Sequence, residues 1–235
     1  MSFISLFLKV KGPSTDQFVV QEDSLTYNER SYQFEKVFEP GSDLSTFAND
    51  LDATSSCSIF MGPTGSGKTT TMKQVLEFKL KQLRQLRIPV FMSAVEITHN
   101  RYAVDLLESD PFHARKEYVH TREFNTRKEK VDQDMENFAI IHKVFKARTT
   151  QKTKFNSESS RSCLIVSFYH NGKRSVFMDL VGNEKFDKDD PGANVFGNMS
   201  MSSITQILTG KKPQRSNSMI SNLIFRKPGI DTSRK

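Results

Sequence analysis

The chain has no tryptophan, only two cysteines, and no apolar run near the length of a membrane span. Cys57 and Cys163 both sit inside apolar stretches, which argues against a disulfide framework or a zinc site built from four local ligands. A reducing, intracellular compartment fits that usage. The opening MSFISLFLKV falls short of the roughly 20 apolar residues that cross a bilayer, and it lacks the basic flank and small-residue cleavage site of a secretion signal. It reads instead as a first strand. The five histidines, His99, His113, His120, His142 and His170, show no metal-ligand spacing with cysteine or carboxylate partners, so they read as surface or loop residues. With 19 phenylalanines and no tryptophan, the aromatic content speaks for core packing rather than a stacking platform.

What is present is the composition of a globular protein: 235 residues, 26% charged and 36% hydrophobic, enough for one sizeable core and by default one domain. The net charge of +7 is unevenly spread. From Lys211 to Lys235 there are seven Lys/Arg and one Asp, which gives +6 and leaves +1 for everything before it. Such a tail is either a solvated end or a surface for an acidic partner.

Along the chain, Ile4 to Val10 alternates as a strand, and SYQFEKVF (Ser31 to Phe38) reads as another, closed by Pro40-Gly41. Ser55 to Met61 has the pattern of a short buried strand ending at Gly62. From Thr69 to Arg87, Met72, Val75, Leu76, Leu80, Leu83 and Leu86 recur at steps of three and four, an amphipathic helix that Pro89 stops. Pro89 to Ile97 predicts a strand, and Met135 to Ala147 a helix. Cys163 to Gly182 predicts two strands around Asn171-Gly172, a strong hairpin signal. Charge-rich Arg115 to Lys154 has few large apolar residues before Met135 and predicts a long exposed loop there. Alternating strands and helices of this kind define an α/β fold, a mixed central sheet flanked by helices.

The chemistry begins at IFMGPTGSGKTTTM. Gly62, Gly67, Lys68 and Thr69 satisfy the phosphate-loop pattern G-x-x-x-x-G-K-[ST], so Gly62, Pro63, Thr64, Gly65, Ser66, Gly67, Lys68, Thr69 and Thr70 form the candidate nucleotide loop. Glycines permit the tight turn, the amides from Gly65 to Thr69 aim at phosphate oxygens, Lys68 places a cation at the outer phosphates, and the Thr69 hydroxyl suits Mg²⁺. The helix that follows adds its positive dipole end. Downstream, FMDLVGNE offers Asp179 at a strand end to hold a Mg²⁺-bound water and the Gly182 amide for a γ-phosphate. The lack of an N-K-x-D segment for guanine favours ATP over GTP.

A third segment, NSESSRSC (Asn156 to Cys163), completes an ordered set. GPTGSGKTTTM, NSESSRSC and DLVGNE together resemble the kinesin motor domain, whose segments read G-x-T-G-S-G-K-T, N-x-x-S-S-R-S-H and D-L-A-G-S-E. Weaker similarity links FLKVKGP, YQFEKVF and VEITHNRYAVDLL to flanking kinesin segments, and NMSMSSITQIL and RSNSMISNLI to later helices. The resemblance implies a P-loop NTPase fold using ATP and Mg²⁺. It implies that Ser160, within the Ser159-Ser160 pair, senses γ-phosphate and metal, that Asn156 supports that loop, and that Arg161 pairs with Glu184 when the site closes. The implied metal set is Thr69, Ser160 and Asp179. Departures are Cys163 for histidine, Val181 for alanine, Asn183 for serine, and Lys9 and Lys11 for arginines.

The expected organisation is a shortened kinesin-like motor domain over 1–225, lacking the last strand and helix of the family, followed by a basic tail at 226–235. The expected function is ATP binding and hydrolysis coupled to microtubules, in the cytoplasm on the microtubule or spindle cytoskeleton. Lys211, Lys212, Arg215, Arg226 and Lys227 would face acidic tubulin, and a partner subunit could supply stalk or cargo binding. The alternative is a non-motile microtubule-binding or regulatory module with a structural or switch-like nucleotide site. A nucleic-acid-acting P-loop protein ranks last, because only the basic tail suggests it.

Overall fold

The computed structural model describes residues 7–10, 18–39, 41–45, 47, 57–63, 65–98, 102–110, 115–117, 127–131, 138–155, 162–180 and 202. The chain divides into two compact units, Met1–Ala48 and Asn49–Lys235.

In the first unit, β1 (Phe7–Lys9) and β5 (Lys36–Phe38) pair in parallel, with Leu8 opposite Val37. Strands β2 (Phe18–Val20), β3 (Ser24–Tyr27) and β4 (Arg30–Gln33) form a separate antiparallel meander. The tight β3–β4 turn places Asn28 and Glu29 at φ of 47° and 63°, the left-handed geometry that matches strand twist in two-residue hairpins. Phe47 packs edge to face on Phe7, with centroids 4.8 Å apart, and on Phe38, and Val37, Phe38 and Leu44 of this unit are buried. The sequence predicts a single strand from Ser31 to Phe38. It breaks instead at Phe34-Glu35, because β4 belongs to the meander and β5 to the parallel pair.

The second unit holds the main sheet. Its strands are β6 (Cys57–Phe60), β7 (Phe91–Thr98), β8 (Tyr102–Asp105), β9 (Arg115–Glu117), β10 (Glu129–Lys130), β11 (Ser162–His170) and β12 (Lys173–Asp179). The order is β6-β12-β11-β7-β8-β9, and β10 shares with β8 the edge of β7 that faces away from β11. β12 runs parallel to β6 and antiparallel to β11, and β11 runs antiparallel to β7. The sheet is therefore mixed, and the carboxyl ends of β6, β12 and β7 lie together with the start of β11. The expected hairpin is present: Asn171 and Gly172 adopt φ of 46° and 71° between β11 and β12.

Nearly every residue of β11 is buried, which explains why its sequence reads as a continuous apolar run rather than an alternation. One face carries Val95, Ile97, Ala103, Cys163, Ile165, Val176, Met178 and Leu180 as a single apolar cluster. The other carries Phe168 and Phe177, edge to face at 5.9 Å. Two helices are described, α1 (Lys68–Gln85) and α2 (Ala139–Phe155). Helix α1 packs on β6 and β12, and α2 packs on α1.

Helix α1 buries Met72, Val75, Leu76, Leu80 and Leu83 along the predicted stripe, each worth about 1.5–3 kcal/mol when fully removed from water. Leu86, assigned to that stripe, is 53% exposed, because the helix ends at Gln85 and the last turn tightens through bonds to Leu83 and Arg84 carbonyls. Lys79 lies buried within the stripe. Helix α2 starts four residues later than predicted and runs eight residues past Ala147, through the polar stretch RTTQKTKF. Among the described residues, no helix is long and apolar enough to cross a membrane.

Candidate phosphate-binding site

Strand β6 delivers the chain into the glycine-rich loop at the carboxyl edge of the sheet. Three of its glycines hold positive φ: Gly62 at 140°, Gly65 at 73° and Gly67 at 89°. At Gly62 a side chain would also crowd the loop, since a Cβ there would stand 3.0 Å from Ser66 Oγ, which would have to give way. Gly67 caps α1, and no acidic residue occupies the first turn, so the positive end of the helix dipole is left for an external anion. The Lys68 ammonium donates to the carbonyls of Gly62 at 2.8 Å and Pro63 at 2.9 Å, which folds the side chain back across the loop. Ser66 N–H donates to the Pro63 carbonyl at 3.2 Å and tightens the same turn. Gly65 and Thr70 are exposed.

Asp179 ends β12 directly beside Phe60, the last residue of β6, and this register is why residues 110 apart in sequence meet. Thr69 Oγ1 donates to Asp179 Oδ2 at 2.6 Å. A threonine hydroxyl whose hydrogen is committed to a carboxylate keeps its lone pairs for another electrophile. The other carboxylate oxygen, Asp179 Oδ1, is buried without a hydrogen-bond partner among the described residues. One oriented hydroxyl and one unsatisfied carboxylate oxygen fit a hydrated Mg²⁺, the donor set such an ion prefers.

The sequence did not single out the cation that completes this cluster. Arg148 on α2 is 2% exposed, and its Nη1 donates to Asp179 Oδ2 at 2.6 Å. Its Nη2 donates to the Ser162 carbonyl at 3.2 Å, and its Nε stands 3.5 Å from Glu96 Oε1. Glu96 in turn accepts from Ser162 Oγ at 2.5 Å. One guanidinium thus bridges β7, β11 and β12. The predicted helix ended one residue short of Arg148, and a lone arginine in a polar helical turn carries no local mark of burial. Glu96 did leave a signal, as the only acid in the apolar run PVFMSAVEI.

Thr64, Asn156, Ser159, Ser160, Arg161, Gly182 and Glu184 lie outside the described residues. Their flanks do not: Ser162 opens β11 and Asp179 closes the neighbouring β12, with Leu164 opposite Asp179. Both segments therefore attach at the same end of the sheet as the phosphate loop. Cys163 is fully buried, and burial pushes its thiol far above the ordinary range, which removes it as a nucleophile. Cys57, inside an apolar stretch of sequence, is exposed at the start of β6.

The sequence model of the kinesin motor domain matches residues 9–195. The chain belongs to the kinesin motor domain family. A solved structure described as that of a fast kinesin superimposes with a TM-score of 0.70 over 94% of this chain and 80% of that one, at 17% sequence identity. No curated protein matches the chain. The fold is the kinesin form of the P-loop NTPase class, with a mixed central sheet between helices. The matched range takes in the phosphate loop, the N-S-E-S-S-R-S-C segment and D-L-V-G-N-E, whereas NMSMSSITQIL and RSNSMISNLI lie beyond it.

Proposed function

We propose that this kinesin-family domain binds Mg²⁺-ATP, hydrolyses it and binds microtubules. The observation that carries the proposal is the 2.6 Å contact between Thr69 and Asp179, which joins the phosphate loop to the D-x-x-G segment. Lys68 would move from its loop carbonyls onto the outer phosphates, and the loop amides and the amino end of α1 would hold the remainder. Mg²⁺, when bound, would offset phosphate charge, with Thr69, Ser160 and Asp179 disposed around it. The Gly182 amide and Ser160 would sense the γ-phosphate, with Asn156 supporting the loop and Arg161 pairing with Glu184 on closure. Ser159 belongs to the same sensing loop.

In this reading, residues 1–225 act as the motor domain, and Lys211, Lys212, Arg215, Arg226 and Lys227 lie against acidic tubulin. The protein would then work on the microtubule or spindle cytoskeleton, with any stalk or cargo function supplied by a partner subunit. Steady-state phosphate release, measured with and without microtubules, tests the proposal. The expected result is hydrolysis that rises with polymer; hydrolysis indifferent to microtubules would overturn the motor reading. A second reading, a non-motile microtubule-binding module with a switch-like nucleotide site, draws on Cys163, Val181 and Asn183, which depart from the kinesin pattern within two of the three motifs. It predicts nucleotide-dependent microtubule binding without sustained turnover.

A further inference from the structure

We infer that a single buried water molecule is bound beneath α1, at the end of the sheet away from the phosphate loop, where it bridges His170 Nε2 and Ser175 Oγ. The site lies outside the nucleotide machinery and does not depend on the nucleotide reading. Directly paired residues of antiparallel strands share a face, so the pairs Leu164–Asp179, Phe168–Ser175 and His170–Lys173 put His170 and Ser175 on the side of the sheet where Asp179 meets Thr69 of α1. Helix α1 runs back along β12 on that side. From Thr69 to Lys79 it rises roughly 15 Å, and from Asp179 back to Ser175 the strand spans roughly 13 Å, which brings buried Lys79 level with Ser175.

Both groups are sealed from solvent. Ser175 is 0% and His170 4% exposed, and neither Ser175 Oγ nor His170 Nε2 has a hydrogen-bond partner among the described residues. Ser175 stands opposite Phe168, so His170 is its diagonal neighbour, a spacing of roughly 7–8 Å that long side chains bridge through one intervening molecule. Left dry, each group would carry the full cost of a desolvated polar atom. Burial, then the charges of Lys79 and Lys173, hold His170 below its ordinary 6.5, so at neutral pH its ring carries one proton and Nε2 either donates or accepts. A hydroxyl does both, and water does both twice, so one water satisfies the pair in either tautomer. A metal ion would instead face the same two cations.

A crystal structure of the full chain, grown with bromide as the halide, supplies the direct test. The expected result is a density peak within hydrogen-bond distance of both His170 Nε2 and Ser175 Oγ, without anomalous signal. A direct bond between the two side chains, an empty gap, or a bromide peak overturns the inference. Thermal midpoints give a second, independent reading by their sign. If the Ser175 hydroxyl were simply unsatisfied, Ser175→Ala would raise the midpoint; with a bridging water the variant is expected to lower it by roughly 2–4 °C. Ser175→Ala and His170→Leu should also couple, the double variant losing less than the sum of the two, because either change alone already frees the water from one anchor. A raised midpoint for Ser175→Ala, or losses that simply add, overturns the inference. Should the leucine variant fail to fold, the wild-type crystal and the sign of the Ser175→Ala shift still decide it.

Discussion

Lys68 is held by two carbonyls of its own loop, so its ammonium already sits where an anion would arrive. Replacing it with alanine removes a charge-assisted contact worth about 1.5–3 kcal/mol, and Mg²⁺-ATP affinity should weaken by roughly ten- to a hundredfold in a calorimetric titration. Affinity equal to wild type would mean that the loop does not bind phosphate. A second residue, His170, carries a pH dependence. It is 4% exposed at the end of β11, and its Nε2 lacks a hydrogen-bond partner among the described residues. Burial, then the charges of Lys79 on α1 and Lys173 on β12, hold its pKa below the ordinary 6.5. The unfolded chain therefore binds the proton more readily than the folded one. Stability is full above the unfolded value and is lost as pH falls from about 6.5 through the lowered folded value. Denaturant midpoints compared at neutral and mildly acid pH should show that loss, and His170→Gln should flatten it. At this scale the sequence disclosed residues whose roles follow local rules, such as Lys68, Thr69 and Asp179. It concealed Arg148, because its burial depends on three strands drawn from distant parts of the chain.

Among the elements, the β11–β12 hairpin was the most legible, since Asn-Gly specifies a turn with two left-handed residues and the structure supplies φ of 46° and 71°. Among the described residues, apart from its chain neighbours, no heavy atom stands within 4 Å of where a Cβ on Gly172 would lie, so Gly172→Ala tests backbone strain with no clash against them. The expected cost is roughly 1–2 kcal/mol in thermal or chemical denaturation. A neutral substitution would mean that the turn relaxes to another type. Helix α1 was legible for a different reason: five apolar residues recur at helical spacing, and all five are buried. Helix α2 was legible only where it is apolar. Its last eight residues, RTTQKTKF, show no apolar stripe, and periodicity cannot report a helical turn whose buried member is an arginine. The strand predicted across Ser31–Phe38 failed on a related point, because local β pattern does not reveal that a chain changes sheets halfway along. Strand β7 shows the limit from the opposite side: its apolar residues marked a strand, but only pairing with β11 explains why Glu96 faces Ser162 and Arg148.

At the scale of the whole molecule, the mixed sheet gathers the phosphate loop, Asp179 and the start of β11 at one end, while the surplus of positive charge lies elsewhere in the sequence. Of the net +7, +6 belongs to residues 211–235, beyond the range matched by the kinesin model. Nucleotide chemistry and polymer attraction should therefore be separable. A cluster of Lys211, Lys212 and Arg215 near an acidic polymer acts through long-range attraction, which salt screens over a Debye length of about 10 Å at 0.1 M. Replacing all three with glutamine lowers the net charge from +7 to +4. Co-sedimentation with microtubules across a salt series should show weaker binding for the variant and a shallower dependence on salt. Its affinity for a fluorescent nucleotide in the absence of polymer should match the wild type, because the phosphate loop, Asp179 and Arg148 are untouched. If the variant pelleted with microtubules as well as the wild type at every salt concentration, tubulin contact would have to lie on another surface. Wild-type binding insensitive to salt would count against charge as the source of attraction at all, and would direct attention to apolar contacts instead.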